Sequence, residues 1–251
     1  MVKRIISFVI LVSIALSLSA CGMQFSIGGA GNMIVGSGKM TSDSREVSGF
    51  SSVSINGAGD AVITLGDTES LIIEADDNIA PFIEANVVGG KLVIGLKNGY
   101  SYSTSRSIRY TITAKSLSGL ETSGSGNASV TNKAAADSFS ARTSGSGNIK
   151  LAELQAGTFE AHTSGSGNID IAGGKADNLT VTTSGSGNLS AANLQCGKAN
   201  ATTSGSGNVT LWVKDNLSAR TSGSGDVKYY GQPAVNKSES GSGRVRGLGN
   251  K

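Results

Sequence analysis

A Ser-Gly-Ser-Gly phrase occurs seven times between residues 123 and 243 of this 251-residue chain. Successive copies are 21, 20, 20, 20, 18 and 18 residues apart. A nearly constant period of this length is typical of a solenoid, in which each repeat is one turn that buries its apolar face only against its neighbours. The phrases begin at Ser123, Ser144, Ser164, Ser184, Ser204, Ser222 and Ser240.

Alternating apolar and polar side chains flank each phrase. Residues 149–151 (Ile-Lys-Leu) follow one copy, and residues 159–162 (Phe-Glu-Ala-His) precede the next. A period of two predicts strands with one buried face. Leu154 and Leu194 indicate a third, shorter side of each turn.

Short strands joined by tight corners and repeated at this period predict an all-β fold. We expect a right-handed parallel β-helix, a single-stranded β-solenoid with coils of about 20 residues stacked about 4.8 Å apart. Glycines would supply positive φ at the corners. The asparagine that ends most phrases would form a stacked ladder. Its members are Asn127, Asn148, Asn168, Asn188 and Asn208.

The first twenty residues have a short basic start and an apolar run over residues 5–18, which is too short for a comfortable membrane span. Residues 18–22 (Leu-Ser-Ala-Cys-Gly) resemble the lipobox of bacterial lipoprotein precursors. The resemblance implies cleavage before Cys21 and lipidation of Cys21, which would anchor the protein without spanning the membrane. An ordinary secretory signal peptide with a chance cysteine is the alternative.

We therefore divide the chain into a lipoprotein signal peptide (1–20), a lipidated N-terminus and flexible tether (21–44) and a β-helical domain (45–251). Within that domain we expect irregular N-terminal coils over 45–120 and regular repeats over 121–245. The predicted location is outside the cytoplasm, on a membrane. Glycine rather than aspartate after the lipobox cysteine suggests sorting to the outer membrane if the producer is Gram-negative.

Charge and cysteine content exclude some functions. The signal peptide carries two basic residues and no acid, so the formal charge falls from +3 to +1 on its removal, since 3 − 2 = 1. A chain this close to neutral gives no support for nucleic-acid binding. Cys196 would be the remaining thiol. It aligns with Ala156, which favours a small-residue position over intermolecular disulfide pairing.

Several motifs together resemble the putative auto-transporter adhesin head GIN domain family. They are residues 45–50 (Arg-Glu-Val-Ser-Gly-Phe), 56–60 (Asn-Gly-Ala-Gly-Asp), 73–78 (Ile-Glu-Ala-Asp-Asp-Asn) and the Ser-Gly-Ser-Gly-Asn series. The resemblance would cover about residues 45–245. It implies an exported β-helical protein, often a lipoprotein, with adhesion as the expected role. It supplies no catalytic or binding residues.

One outward column of the predicted coils is the best candidate for a binding face. It would present side chains to a glycan, an envelope component or a protein ligand, although a solvated face explains the same pattern. The open end of the solenoid is a further candidate for end-to-end self-association. The column comprises Arg142, His162, Thr182, Thr202 and Arg220.

We expect neither a metal site nor a cofactor. His162 is the single histidine of the chain, and the predicted ladder is mainly asparagine with acids only at Asp60 and Asp226, whereas calcium prefers carboxylates.

We also expect no enzyme activity. Glu160 and Asp170 belong to different coils and columns, whereas glycosidic cleavage needs converging carboxylates. The alternative function is a polysaccharide-acting β-helix enzyme.

Overall fold

A computed structural model describes residues 32–251. The predicted signal peptide and Cys21 lie outside this part of the chain. The described residues form nineteen strands and one short 3-10 turn, η1 (Ala80–Phe82). No helix among them is long and apolar enough to cross a membrane. The strands are β1 (Asn32–Val35), β2 (Met40–Arg45), β3 (Ser52–Gly57), β4 (Asp60–Leu65), β5 (Ser70–Asp76), β6 (Ile83–Val88), β7 (Lys91–Leu96), β8 (Tyr100–Ser103), β9 (Arg109–Ala114), β10 (Gly119–Gly124), β11 (Asn127–Thr143), β12 (Ile149–Thr163), β13 (Ile169–Ile171), β14 (Gly174–Thr183), β15 (Leu189–Thr203), β16 (Val209–Thr221), β17 (Val227–Tyr230), β18 (Ala234–Glu239) and β19 (Val245–Gly247).

From β10 onward every strand pairing is parallel, and the register equals the spacing of the phrases. Ile149 pairs with Ile169, and Ile169 pairs with Leu189. Near the end of the chain Val209 pairs with Val227. Each coil therefore lies directly on the preceding one, about 4.8 Å away. The predicted parallel β-solenoid is confirmed, with about six turns.

Burial along β11 defines three sides in each coil. Residues 131–133 are all exposed, and so are Asp137 and Ser138. Successive exposed residues break the alternation of a flat strand, so they mark two corners, and the phrase makes the third. Leu154 and Leu194 are fully buried on the predicted third side. The inward side chains of β11 are Ala128, Val130, Ala134, Ala136, Phe139, Ala141 and Thr143.

Equivalent inward side chains stack into continuous apolar columns. Phe139 pairs with Phe159, and their ring centroids are 6.0 Å apart in an edge-to-face arrangement. Leu179, Ala199 and Leu217 continue the same column. Such columns bury each coil against its neighbours, so no coil has a core of its own.

Glycine is required at the phrase corner by close packing, whereas we had expected positive φ. Among the first glycines of the seven phrases only Gly124 has a positive φ, of 134°, and it lies on Gly57 of the degenerate phrase at residues 56–60, whose φ is 104°. A Cβ on Gly185 would overlap the carbonyl oxygen of Gly165 one coil below. The same overlap recurs in the second column, for example between Gly187 and Gly167. The phrase repeats because adjacent coils approach through bare backbone at this corner.

The predicted asparagine ladder is present and has a direction. The Nδ2 of Asn168 donates to Oδ1 of Asn148 at 2.8 Å. Its own Oδ1 accepts the backbone N–H and Nδ2 of Asn188, at 2.8 and 3.1 Å. Aspartates stand at both ends of the ladder: Asp60 accepts from Nδ2 of Asn127, whereas Asp226 donates its backbone N–H to Oδ1 of Asn208 and accepts from the N–H of Arg244. The ladder satisfies amide groups that the corner would otherwise leave to water.

The N-terminal coils follow a different order in space than in sequence. Strands β3 and β4 pair on one edge with β10 and β11, and on the other with β7 and β9, all in parallel. The coil containing β7 and β9 is therefore the terminal one, although it comes later in the chain. Strands β5 and β6 pair with β9 and β7 in antiparallel fashion and cover this end. At the other end β18 pairs with β16 and is exposed along its whole length.

The prediction of a flexible tether over residues 21–44 is wrong for its described part. Strand β2 pairs antiparallel with β5, joining Thr41 to Ala75. Two further contacts hold the preceding segment: Ser37 Oγ donates to Asp77 at 2.6 Å, and Asn78 Nδ2 donates to the carbonyl of Val35 at 2.8 Å. Because no face of β2 is fully buried, its sequence lacks the apolar alternation that identifies a strand.

Replacing Gly185 with alanine should destabilise the solenoid by about 2–3 kcal/mol, because the added methyl group forces two coils apart. Urea unfolding followed by circular dichroism measures the loss. Ser186→Ala is the matched control, since Ser186 is exposed in the same phrase, and it should change stability by less than about 0.5 kcal/mol. Equal stability of the two variants would refute the close-packing argument.

Replacing Asn168 with alanine should cost about 1–2 kcal/mol, because it removes one donated and two accepted hydrogen bonds from the middle of the ladder. The same unfolding measurement applies. Asn178→Ala tests an exposed asparagine outside the ladder and should be nearly neutral. A neutral result for Asn168→Ala would mean that water replaces the ladder without cost.

Candidate functional site

The stacking brings the five predicted binding residues together in one outward column. Arg142 pairs with His162, which pairs with Thr182, and the column continues through Thr202 to Arg220. We call this column the Arg–His face. Its residues lie in neighbouring coils, so it is a straight strip with cations near its two ends.

Ion pairs cover one end of the Arg–His face. Arg142 contacts Glu160 at 3.3 Å, and its Nε donates to Ser140 at 3.1 Å. One coil further toward the N-terminus Lys91 contacts Glu121 at 2.9 Å. These pairs are about half exposed, so each contributes little to stability. The side chains remain available to a polar ligand, and Lys91, Glu121 and Arg142 line a small cavity of about 260 Å³.

A groove on the third side was missed by the sequence analysis. It encloses about 830 Å³ and is lined by two lysines, two aspartates and a glutamine, with alanines and Gly157 between them. We call it the lysine groove. Its mixed donors and acceptors suit a ligand rich in hydroxyl or amide groups. Its polar residues are Lys133, Asp137, Gln155, Lys175 and Asp177.

A short side chain at one position shapes the lysine groove. Asp137, Gly157 and Asp177 belong to one column, because Ser138 pairs with Thr158 and Thr158 with Asn178. Gly157 leaves space between the two exposed aspartates. Aspartate and glycine alternate at this column of the sequence, which indicates the groove. The alternation can be recognised only when the position of the corner after residue 136 is known.

The outer face beside the asparagine ladder carries Lys150 and Asp170 as neighbours in one column. Two shallow pockets of about 470 and 380 Å³ lie along it. Glu160 lies two residues before His162 on β12, in the column of Ser140 and Thr180, so the structure does not bring Glu160 and Asp170 together. The two aspartates of the lysine groove are instead the carboxylates that share a cavity.

Within residues 32–251 no group of three histidine, cysteine, aspartate or glutamate side chains is arranged to hold a metal ion. His162 is half-buried between Arg142 and Thr182 in its column. Asp60 and Asp226 lie at opposite ends of the ladder, where each carboxylate accepts a hydrogen bond from its neighbour. Both acids therefore have a structural role.

Cys196 lies in the column of Ala156 and Ala176 and is fully buried. Burial raises the pKa of its thiol to about 12. Its Sγ–H donates to the carbonyl of Trp212 at 3.2 Å. A thiol in this environment stays protonated at neutral pH and is a poor nucleophile.

The fold defines a β-solenoid protein whose coils present polar outer faces. Residues 49–233 match the family described as "Putative auto-transporter adhesin, head GIN domain", and the chain belongs to this family. The family description indicates a surface or envelope protein. No curated protein matches the sequence.

Solved structures share the fold. A putative adhesin from Bacteroides fragilis has a TM-score of 0.81 at 24% identity, covering 86% of this chain and 100% of that one. A putative adhesin from Parabacteroides merdae has a TM-score of 0.71 at 22% identity, covering 86% and 99%. A putative lipid binding protein from Parabacteroides distasonis has a TM-score of 0.70 at 24% identity, covering 86% and 100%.

In the folded protein Cys196 should not react with a thiol-specific disulfide reagent at neutral pH, and it should react fully after unfolding in urea. The high pKa and complete burial both suppress the thiolate. Absorbance of the released thiolate measures the reaction in protein that lacks Cys21. Rapid labelling under native conditions would show that the column around Cys196 opens.

Proposed function

We propose that this protein is a lipid-anchored, non-enzymatic binding module of the cell envelope, adhesin-like, with the lysine groove as its ligand site. The observation that carries the proposal is the groove itself: about 830 Å³, with two ammonium groups, two carboxylates and one amide around a floor of small residues. Alternating charges of this kind favour hydrogen bonding to a neutral polar chain over binding of a strongly charged polymer.

The direction of the groove supports an extended ligand. Its lining comes from three successive coils, represented by Lys133, Gln155 and Lys175. Since the coils are stacked about 4.8 Å apart, these three coils span about 10 Å along the solenoid axis. A glycan or an extended envelope polymer fits such a site, because its repeating units can contact equivalent positions on neighbouring coils.

The lipobox-like sequence at residues 18–22 supports the anchor. Acyl chains on Cys21 would place the solenoid at a membrane surface, with residues 22–31 between the anchor and the first described strand. For Gram-negative producers the glycine after Cys21 favours the outer membrane. Incorporation of radiolabelled palmitate tests the lipid anchor independently of ligand binding. We expect incorporation in the wild type and its loss in Cys21→Ser.

A second function is favoured by one specific observation. Asp137 and Asp177 line the same groove two coils apart, so their backbones are about 10 Å apart and two carboxylates face one bound chain. Both carboxylates are exposed, however, whereas a general acid normally lies in an apolar environment. Polysaccharide cleavage is therefore the alternative to simple binding.

The experiment is a binding screen of the mature chain against glycans and envelope polymers, with product analysis on every hit. We expect saturable binding with the polymer left intact. Lys133→Ala combined with Lys175→Ala should weaken binding at least about tenfold, whereas Arg142→Ala combined with Arg220→Ala should leave it within about twofold. Thermal unfolding checks that both double variants remain folded.

Three results would change the conclusion. Loss of binding in the arginine variant but not the lysine variant would place the ligand on the Arg–His face. Chain cleavage that disappears in Asp137→Asn combined with Asp177→Asn would establish the enzyme. Absence of binding to every polymer would refute the proposed ligand class.

A further inference from the structure

Two aromatic rings in the C-terminal coils contact the same ammonium group. The Nζ of Lys251 is 5.5 Å from the ring centroid of Trp212 and 5.3 Å from that of Tyr230. Both distances are within the range of about 6 Å at which a cation is attracted to an aromatic face. Trp212 is the single tryptophan of the chain, and both rings are half-buried.

Two neutral oxygen atoms complete the surroundings of this ammonium group. The Nζ of Lys251 donates to the carbonyl oxygen of Ala192 and to Oδ1 of Asn193. These contacts combine hydrogen-bond acceptors with aromatic faces, the arrangement that recognises alkylammonium groups.

The scaffold builds the site without Lys251. Asn193 lies on β15, Trp212 on β16 and Tyr230 on β17, three strands of successive coils. Trp212 pairs directly with Tyr230 in the parallel ladder, so the two rings are held at neighbouring positions of one column. The rings and oxygens are therefore preorganised by the same stacking that forms the solenoid.

Backbone hydrogen bonds bring the last residues to this site. The N–H of Leu248 donates to the carbonyl of Tyr229 at 2.7 Å, and the N–H of Gly231 donates to the carbonyl of Gly249 at 2.9 Å. The side chain of Lys251 then places its ammonium group over both rings. Its side chain is exposed, which allows it to leave without disrupting the coils.

We propose that Trp212, Tyr230, the Ala192 carbonyl and Asn193 form a recognition site for a primary alkylammonium group, which Lys251 occupies in cis. The ligand would be a molecule that carries such a group, and it would compete with Lys251 for the rings. A tethered competitor acts at a local concentration of about millimolar, so free ligand binds more weakly while Lys251 is in place. This proposal is independent of the lysine groove.

The test uses the fluorescence of Trp212, which reports the site alone because the chain has no other tryptophan. The full chain in detergent is titrated with n-butylammonium chloride as wild type and as Lys251→Met. We expect a saturable change in Lys251→Met and at least about tenfold weaker binding in the wild type. Lys198→Met removes an exposed lysine elsewhere and should behave like the wild type.

Two further variants identify the contacts. Asn193→Ala and Tyr230→Leu, each combined with Lys251→Met, should each weaken butylammonium binding at least about threefold. Asn193 is exposed, so its variant keeps the proposal testable even if Tyr230→Leu disturbs the last coils. Circular dichroism monitors the fold. Tetramethylammonium, which has no N–H donor, should bind less tightly than butylammonium.

A saturable response in Lys251→Met that the other substitutions weaken would support the proposal. No response in folded Lys251→Met, or equal affinity in Lys251→Met and wild type, would overturn it. A short lysine peptide and vesicles containing an ethanolamine headgroup are each tested as competitors of butylammonium, and the one that competes identifies the source of the amine. The same peptide with its lysine side chain acetylated should fail to compete, because that side chain has lost its positive charge.

Discussion

The close approach of backbone at the phrase corner is the constraint on which the solenoid depends. At each phrase corner a glycine of one coil lies against the carbonyl oxygen of a glycine in the coil below, and the space between them has no room for a methyl group. The ladder hydrogen bonds on all three sides share this spacing. A larger residue at any one corner would therefore disturb pairing on every side of its coil.

Much of this architecture could be predicted because its signals are local and repeated. Phrase spacing gave the register, alternation gave the buried columns, and the asparagine column gave the ladder. We had attributed the phrase glycines to positive φ, whereas most of them are required by close packing against the next coil. That contact cannot be inferred from the sequence of a single corner. Strand β2 was missed because it pairs with β5 through backbone groups and has few apolar side chains, so its sequence lacks the alternation that identifies a strand.

The candidate sites were less predictable than the fold. The Arg–His face needed only the register, so its residues were found and are adjacent in the structure. The lysine groove needed the position of the second corner, where Asp137 and Ser138 both face outward. The ammonium site needed the path of residues 248–251 back toward β17, a long-range feature that no periodicity encodes.

The repetition that makes the coils easy to recognise also makes their pairing ambiguous during folding. A strand that pairs one coil too far along meets the same glycines and asparagines as in the correct register, and the same fully buried threonines, such as Thr143, Thr163 and Thr183. Discrimination must come from the positions that differ between coils, such as the paired rings of Phe139 and Phe159 and the single indole of Trp212. The irregular N-terminal strands would then set the starting coil from which the remaining turns are counted.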